Sequence, residues 1–143
     1  MRIMITGGGT GGHTSPAIAV YEELRQRDPQ LRAQWVGCRG KIEERLCKQL
    51  GIPFRAIPVA GWPRRRSLKQ VWVAMLLLAG LIRAVMLLRS FRPQVVFGVG
   101  GYVSLPLLWV AQWMGIPTVI HEQNRRFGMA NRLLAPRATC IFL

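Results

Sequence analysis

Gly7-Gly8-Gly9-Thr10-Gly11-Gly12-His13-Thr14-Ser15-Pro16 follows directly on the short apolar run Arg2-Ile3-Met4-Ile5-Thr6, and the reading of this junction decides the fold. A strand that runs into successive glycines can turn sharply and let a ligand approach its backbone. Ser15 has the chemistry of a helix N-cap and Pro16 that of a first helical residue. A helix is therefore predicted over residues 16–26, its amino end aimed at the loop. That geometry favours an anion, most often a phosphate.

The same design recurs at Gly98-Val99-Gly100-Gly101-Tyr102-Val103-Ser104-Leu105-Pro106, again after an apolar run and again with a serine and an early proline. Working outward, strand patterns fall at residues 3–6, 33–36, 54–59, 94–97, 118–120 and 139–143. Helical patterns fall between them at 16–26, 41–50, 67–90, 105–114 and 129–134. Strand–helix alternation with short connections predicts an α/β doubly wound parallel sheet, Rossmann-like, with right-handed crossovers. Gly-Ile-Pro recurs at 51–53 and 115–117 as a helix stop before the next strand. In strand order 3-2-1-4-5 the first and fourth strands are neighbours where the winding reverses, and ligands bind at such a point. The two glycine loops then face one another across one crevice. The alternatives are that the glycines only permit tight turns, or that Gly7, Gly9 and Gly12 form a dinucleotide fingerprint. An NAD site asks for an acid at the end of the second strand. That strand ends Val36-Gly37-Cys38-Arg39; Arg39 suits NADP better, but leaves the second loop unexplained.

The composition narrows the partners. The chain has 143 residues, enough for one domain, and half are apolar, so it folds. Its formal net charge of +14 admits nucleic acid, an anionic membrane surface or a diphosphate ligand. No nucleic-acid-binding motif organises the arginines, so nucleic acid is not expected as a partner. Asp28 is the only aspartate, and Glu122 is the only carboxylate side chain after Glu44. A metal site of paired carboxylates is not expected. Cys38, Cys47 and Cys140 form no C-x-x-C pair, which suits a reducing compartment. The strand pattern begins almost at the first residue, so no signal peptide is expected.

The fifth strand ends in four polar side chains, His121-Glu122-Gln123-Asn124, in the same crevice as the loops. They either cap a loop or carry chemistry. At this point a family is recognisable. Gly8–His13, the loop Gly98–Ser104, and His121–Asn124 followed by Gly128 and Asn131-Arg132 together resemble the MurG family of UDP-N-acetylglucosamine transferases, which convert lipid I to lipid II in peptidoglycan synthesis. The motifs cover nearly the whole chain, in the family's order. The resemblance implies that residues 1–143 are the acceptor-side, N-terminal domain of a GT-B glycosyltransferase, a fragment whose donor domain lies elsewhere.

It also implies roles. Thr10, Gly11 and Gly12 meet the donor across the cleft, and Asn124, beside Gln123, hydrogen-bonds the donor sugar. The second loop, with Gly100, Gly101, Tyr102 and Ser104, binds the acceptor diphosphate. His13 and Glu122 are the catalytic candidates: His13 has the titration range of a general base, and Glu122 orients or substitutes for it. The chemistry implied is inverting transfer from UDP-N-acetylglucosamine to undecaprenyl-diphosphate-linked muramyl pentapeptide. It uses no cofactor, and helix amino termini meet the leaving-group charge. Departures from the family are Arg125 and Arg126, which stand where a small residue and an x-Pro-Gly turn are usual, and Leu105, where glycine is usual. The two arginines alter the rim of the cleft, or add diphosphate contacts.

Residues 71–82 are uncharged and are followed by Arg83, with Arg64-Arg65-Arg66, Lys69, Arg89 and Arg92 around them. A bilayer span needs roughly 20 apolar residues, and Arg83 interrupts this run. The apolar residues surround the helix, more than one buried stripe requires. The expectation is an interfacial contact with anionic lipid, hence a peripheral protein at the cytoplasmic face of a bacterial cell membrane. Two other classes fit parts of the sequence: a membrane-recruiting acceptor-side subunit of a split glycosyltransferase, and an NAD(P)-binding domain.

Overall fold

The computed structural model describes residues 1–8, 11–63, 68–124 and 127–143, without the side chains of residues 11–13. Six parallel strands form one sheet in the order β3-β2-β1-β4-β5-β6. They are β1 (Arg2–Thr6), β2 (Arg32–Gly37), β3 (Phe54–Ala56), β4 (Val95–Gly98), β5 (Thr118–His121) and β6 (Cys140–Phe142). The helices between them are α1 (Gly11–Arg27), α2 (Ile42–Leu50), α3 (Lys69–Phe91), α4 (Leu105–Trp113) and α5 (Met129–Leu134), with a 3₁₀ turn at Ala135–Arg137. This is the doubly wound sheet expected, and β1 and β4 are paired at its centre, with Thr6 opposite Gly98.

The alternation of strand side chains builds two cores. Met4 of β1 faces a cluster with Val96, Ala84, Leu87, Leu88, Leu107 and Leu108. Its neighbours Ile3 and Ile5 face the other way, against Ala17, Tyr21, Trp35 and Phe97. Side chains two apart in a strand share a face, and a parallel sheet needs both faces covered. Met4 and Ile5 are fully buried, each contributing about 1.5–3 kcal/mol by burial.

Two boundaries differ from the sequence reading. Helix α1 begins at Gly11, so Ser15 does not cap it and Pro16 sits inside it; the proline forgoes one bond, to the carbonyl four residues back. Strand β3 ends at Ala56 rather than residue 59, its last bond to β2 running from the Ile57 N–H to the Gly37 carbonyl at 2.9 Å. Gly51 does terminate α2 in the left-handed region, at φ 68°.

Helix α3 is the one described helix long and apolar enough, by length and composition, to cross a membrane. Its inner face nevertheless packs on the domain through Val73, Gly80, Ala84, Leu87 and Leu88. At Gly80 the backbone lies so close that an added Cβ would stand 2.7 Å from the Pro58 carbonyl oxygen. The outer face leaves Val71, Trp72, Met75, Leu78, Ile82 and Met86 exposed. On α4 beside it Trp109 and Trp113 are exposed too, the latter under the Arg137 guanidinium at 4.8 Å.

Candidate functional site

The loop after β1 is held from three sides. Trp35 on β2 donates its indole N–H to the Gly7 carbonyl at 3.3 Å, and Val99 from the second loop packs against Gly7. Beneath Gly8 lies the carboxylate of Glu43, which is wholly buried. A Cβ on Gly8 would stand 2.6 Å from either Glu43 carboxylate oxygen, and φ there is +149°. Glu43 accepts the Cys38 N–H at 3.2 Å. Glu43 is not among the residues expected here, because it stands in the helix after β2 rather than at the end of that strand. The first turn of α2 carries it back under the first loop. Its readable signal was an acid in the opening turn of a helix that follows a strand.

Of the residues expected in this loop, Thr10 lies outside the described residues. Gly11 and Gly12 open α1, and His13 is its third residue, with a side chain outside the description. The positive end of α1 thus starts on the loop itself, with Gly11 and Gly12 as its first two residues.

The second loop meets the first directly. Gly100 and Gly101 have φ of 86° and 80°, a conformation that an L side chain adopts at a cost. A Cβ on Gly101 would stand 2.9 Å from the Gly8 carbonyl oxygen. Ser104 occupies the N-cap position of α4 but does not cap it. Its hydroxyl instead donates to the Gly101 carbonyl at 2.9 Å, closing the loop on itself. Tyr102 is partly exposed, and burial of its phenol raises its pKa, helped by nearby Cys38 and Glu43. It therefore stays a protonated donor. Burial likewise raises the Cys38 thiol, and pushes that of Cys47 up to about 12, so neither is an activated nucleophile.

The third motif is organised by Glu122, which is 4% exposed. One carboxylate oxygen accepts the Asn124 backbone N–H at 3.0 Å and its side-chain amide at 2.9 Å. The other accepts the Gly128 N–H and the Asn131 amide, both at 3.0 Å. Burial would raise its pKa, but these four donors outweigh burial and hold it below the usual carboxylate value. The carboxylate thus folds residues 122–131 around itself. Gln123 and Asn124 are exposed at the edge of this turn. Arg125 and Arg126 lie outside the described residues. Among the described residues, the buried atoms Thr6 Oγ1, Gln34 Oε1, His121 Nδ1 and Asn131 Oδ1 lack hydrogen-bond partners; Thr6 and His121 are the last residues of β1 and β5. Buried polar atoms of this kind ordinarily bond something.

The linkage of Glu122 to folding has a definite sign. A folded-state pKa below the unfolded one contributes stability above the unfolded value, lost as pH falls through the folded value. Glu122→Gln is expected to be less stable than the wild type at neutral pH, at a cost of about 1–3 kcal/mol for each buried donor left unsatisfied. The difference should narrow on acidification through and below the usual carboxylate range, as read by denaturant unfolding at a series of pH values. A gap independent of pH would contradict this role.

Beside the loops is a mainly apolar cavity of about 410 Å³. Val59, Leu77, Leu105, Met129, Ala130 and Leu133 contribute to its lining, and Gly101 and Tyr102 of the second loop form part of its wall. Among the described residues no three His, Cys, Asp or Glu side chains gather to hold a metal ion.

Comparison with known proteins agrees with this arrangement. The family model described as the glycosyltransferase family 28 N-terminal domain matches residues 3–143. The chain is 42% identical over 143 residues to a UDP-N-acetylglucosamine–N-acetylmuramyl-(pentapeptide) pyrophosphoryl-undecaprenol N-acetylglucosamine transferase of an Exiguobacterium species, covering all of this chain and 40% of that protein. It is 40% identical over 135 residues to the protein of the same name from Bacillus subtilis, covering 94% of this chain and 37% of that one. The structure of Acinetobacter baumannii MurG superposes with a TM-score of 0.84 at 30% identity, over 98% of this chain and 40% of that one. The UDP-GlcNAc 2-epimerase of Neisseria meningitidis, at 13% identity and a TM-score of 0.65, shares the fold. The chain spans about 40% of the length of the curated relatives it matches.

Proposed function

The chain belongs to the glycosyltransferase family 28 N-terminal domains, and from that membership we propose that it is the acceptor-side domain of a MurG-type enzyme. The complete protein transfers N-acetylglucosamine from UDP-N-acetylglucosamine to undecaprenyl-diphosphate-linked muramyl pentapeptide. A second domain completes the donor pocket. The observation that carries this reading is the direct meeting of the two glycine loops at the centre of the sheet, with Gly101 against the Gly8 carbonyl.

In this reading the second loop, including Gly100, Gly101, Tyr102 and Ser104, receives the acceptor diphosphate. The start of α1, with Thr10, Gly11 and Gly12, faces the donor, as do Gln123 and Asn124. The muramyl hydroxyl attacks C1 of the donor sugar, the anomeric centre inverts, the bond to UDP breaks, and the hydroxyl proton passes to a base. His13 is that base. Glu122 is an unsuitable proton acceptor because its oxygens already accept four hydrogen bonds, and taking a proton would cost the turn its fold. Glu122 positions Asn124 instead, and Glu43 supports the first loop. The test is transfer from labelled UDP-N-acetylglucosamine to a lipid I analogue by the complete protein. Absence of transfer, together with tight NADPH binding, would sink the reading.

The same reading places the protein peripherally, at the cytoplasmic face of the membrane. Support comes from the exposed apolar face of α3 and the +14 formal charge. An apolar face with surrounding cations suits the surface of an anionic bilayer. The tight approach of α3 at Gly80 argues against a span. In vesicle flotation, binding to anionic lipid is expected to weaken severalfold between low and high salt, and again when Arg64, Arg65 and Arg66 become glutamine. Equal binding to neutral vesicles at every salt concentration would contradict it.

A further inference from the structure

We propose that the 410 Å³ cavity beside the second glycine loop is the seat of the first isoprene units of the acceptor lipid. The inference deepens the function above and rests on it.

The cavity's position decides the class of ligand. Gly101 and Tyr102 belong both to the cavity wall and to the loop that takes the diphosphate in that reading. A molecule with its phosphate on that loop therefore has an apolar recess next to it. Sugars and peptides are poorly matched to walls of Val59, Val73, Leu77, Leu105 and Leu133, because a polar group buried there would lose its water bonds without replacement. A hydrocarbon chain attached directly to the phosphate matches both halves of the site.

The size sets how much of the chain is held. At roughly 30 Å³ per heavy atom, the share of one water in the liquid, the cavity admits on the order of a dozen carbons, or two to three isoprene units. The rest of a long polyprenyl chain has to leave. Val73 and Leu77 supply one wall from the same helix whose opposite side exposes Met75, Leu78 and Ile82. The path of the lipid in this proposal runs from diphosphate loop to recess to the apolar face of α3. Such a recess selects prenyl diphosphates over free nucleotide sugars as acceptors, and it fixes the depth at which the muramyl hydroxyl lies.

The test uses soluble acceptor analogues carrying one, two, three or four isoprene units on the same diphosphate–muramyl head group. They are assayed with the complete protein below their micelle concentrations and without added membrane. For the wild type, KM should fall at least tenfold from one unit to three and then level off. In Ala130→Phe, and separately in Leu77→Phe, the ratio of KM for one unit to KM for three should collapse towards one. The ratio is taken within one preparation, so a partly inactive variant does not distort it. A wild-type KM that is flat across the series overturns the recess while leaving the transferase reading intact. So does a KM that keeps falling beyond three units with no break in either variant. Failure of every acceptor to receive sugar overturns both.

Discussion

His13→Ala in the complete enzyme is expected to lower kcat by about 10²–10⁴-fold, the range for a positioned general base, while the affinity for UDP-N-acetylglucosamine changes little. The expectation follows from elimination as much as from position. Glu122, the other catalytic candidate, is occupied by two backbone N–H groups and two amides, and these donors outweigh its burial to hold it below the usual carboxylate value. It is held ionised and fully bonded, which describes a scaffold. Residue 13 lies in the first turn of α1, immediately after the first loop. Added imidazole should restore part of the lost turnover if the side chain carried a proton, and should restore none if it only supported its loop. A variant with wild-type turnover would remove His13 from the chemistry. A Glu122→Gln enzyme that lost as much turnover as His13→Ala without losing stability would transfer the role to Glu122.

The second large effect is expected at Gly101. An alanine there has to adopt φ near 80°, a strain of about 1–3 kcal/mol for a residue with a side chain. Its Cβ would also stand 2.9 Å from the Gly8 carbonyl oxygen. That obstacle is backbone, so the two loops have to part. Gly101→Ala should raise the acceptor KM by tenfold or more, with a much smaller change in donor KM. Gly51→Ala is the control: φ is +68° and nothing lies within 4 Å of the added carbon. It incurs the strain without the collision and should leave both KM values unchanged. Equal behaviour of the two variants would mean that the loop contact is incidental.

The doubly wound sheet was legible because β1 and β4 each combine an apolar run with a glycine turn, and parallel strands buried on both faces leave little else to read. The start of α1 was not, because Ser15-Pro16 is a good local helix start and nothing nearby announces that Gly11 and Gly12 join the helix. The meeting of the two glycine loops was inferable from strand order, whereas the support beneath them was not. Glu43 is 35 positions from Gly8, and only the path of α2 brings them together. Glu122 stood out as an isolated carboxylate, but its bonding to Gly128 and Asn131 depends on a turn that periodicity does not encode. The apolar excess of residues 71–88 predicted an exposed face on α3. Which residues form it depends on how Gly80 docks against Pro58.

The Glu43 carboxylate filling the space under Gly8 has an evolutionary consequence. A side chain at position 8 collides with the acid at position 43, so neither site can drift alone. A lineage that gained a methyl group at 8 would first have to shorten 43, and doing so would strip the Cys38 N–H of its acceptor. Neighbours in contact are where mutational effects stop adding. Among relatives, these two positions should therefore change together or remain locked, a form of epistasis visible in an alignment.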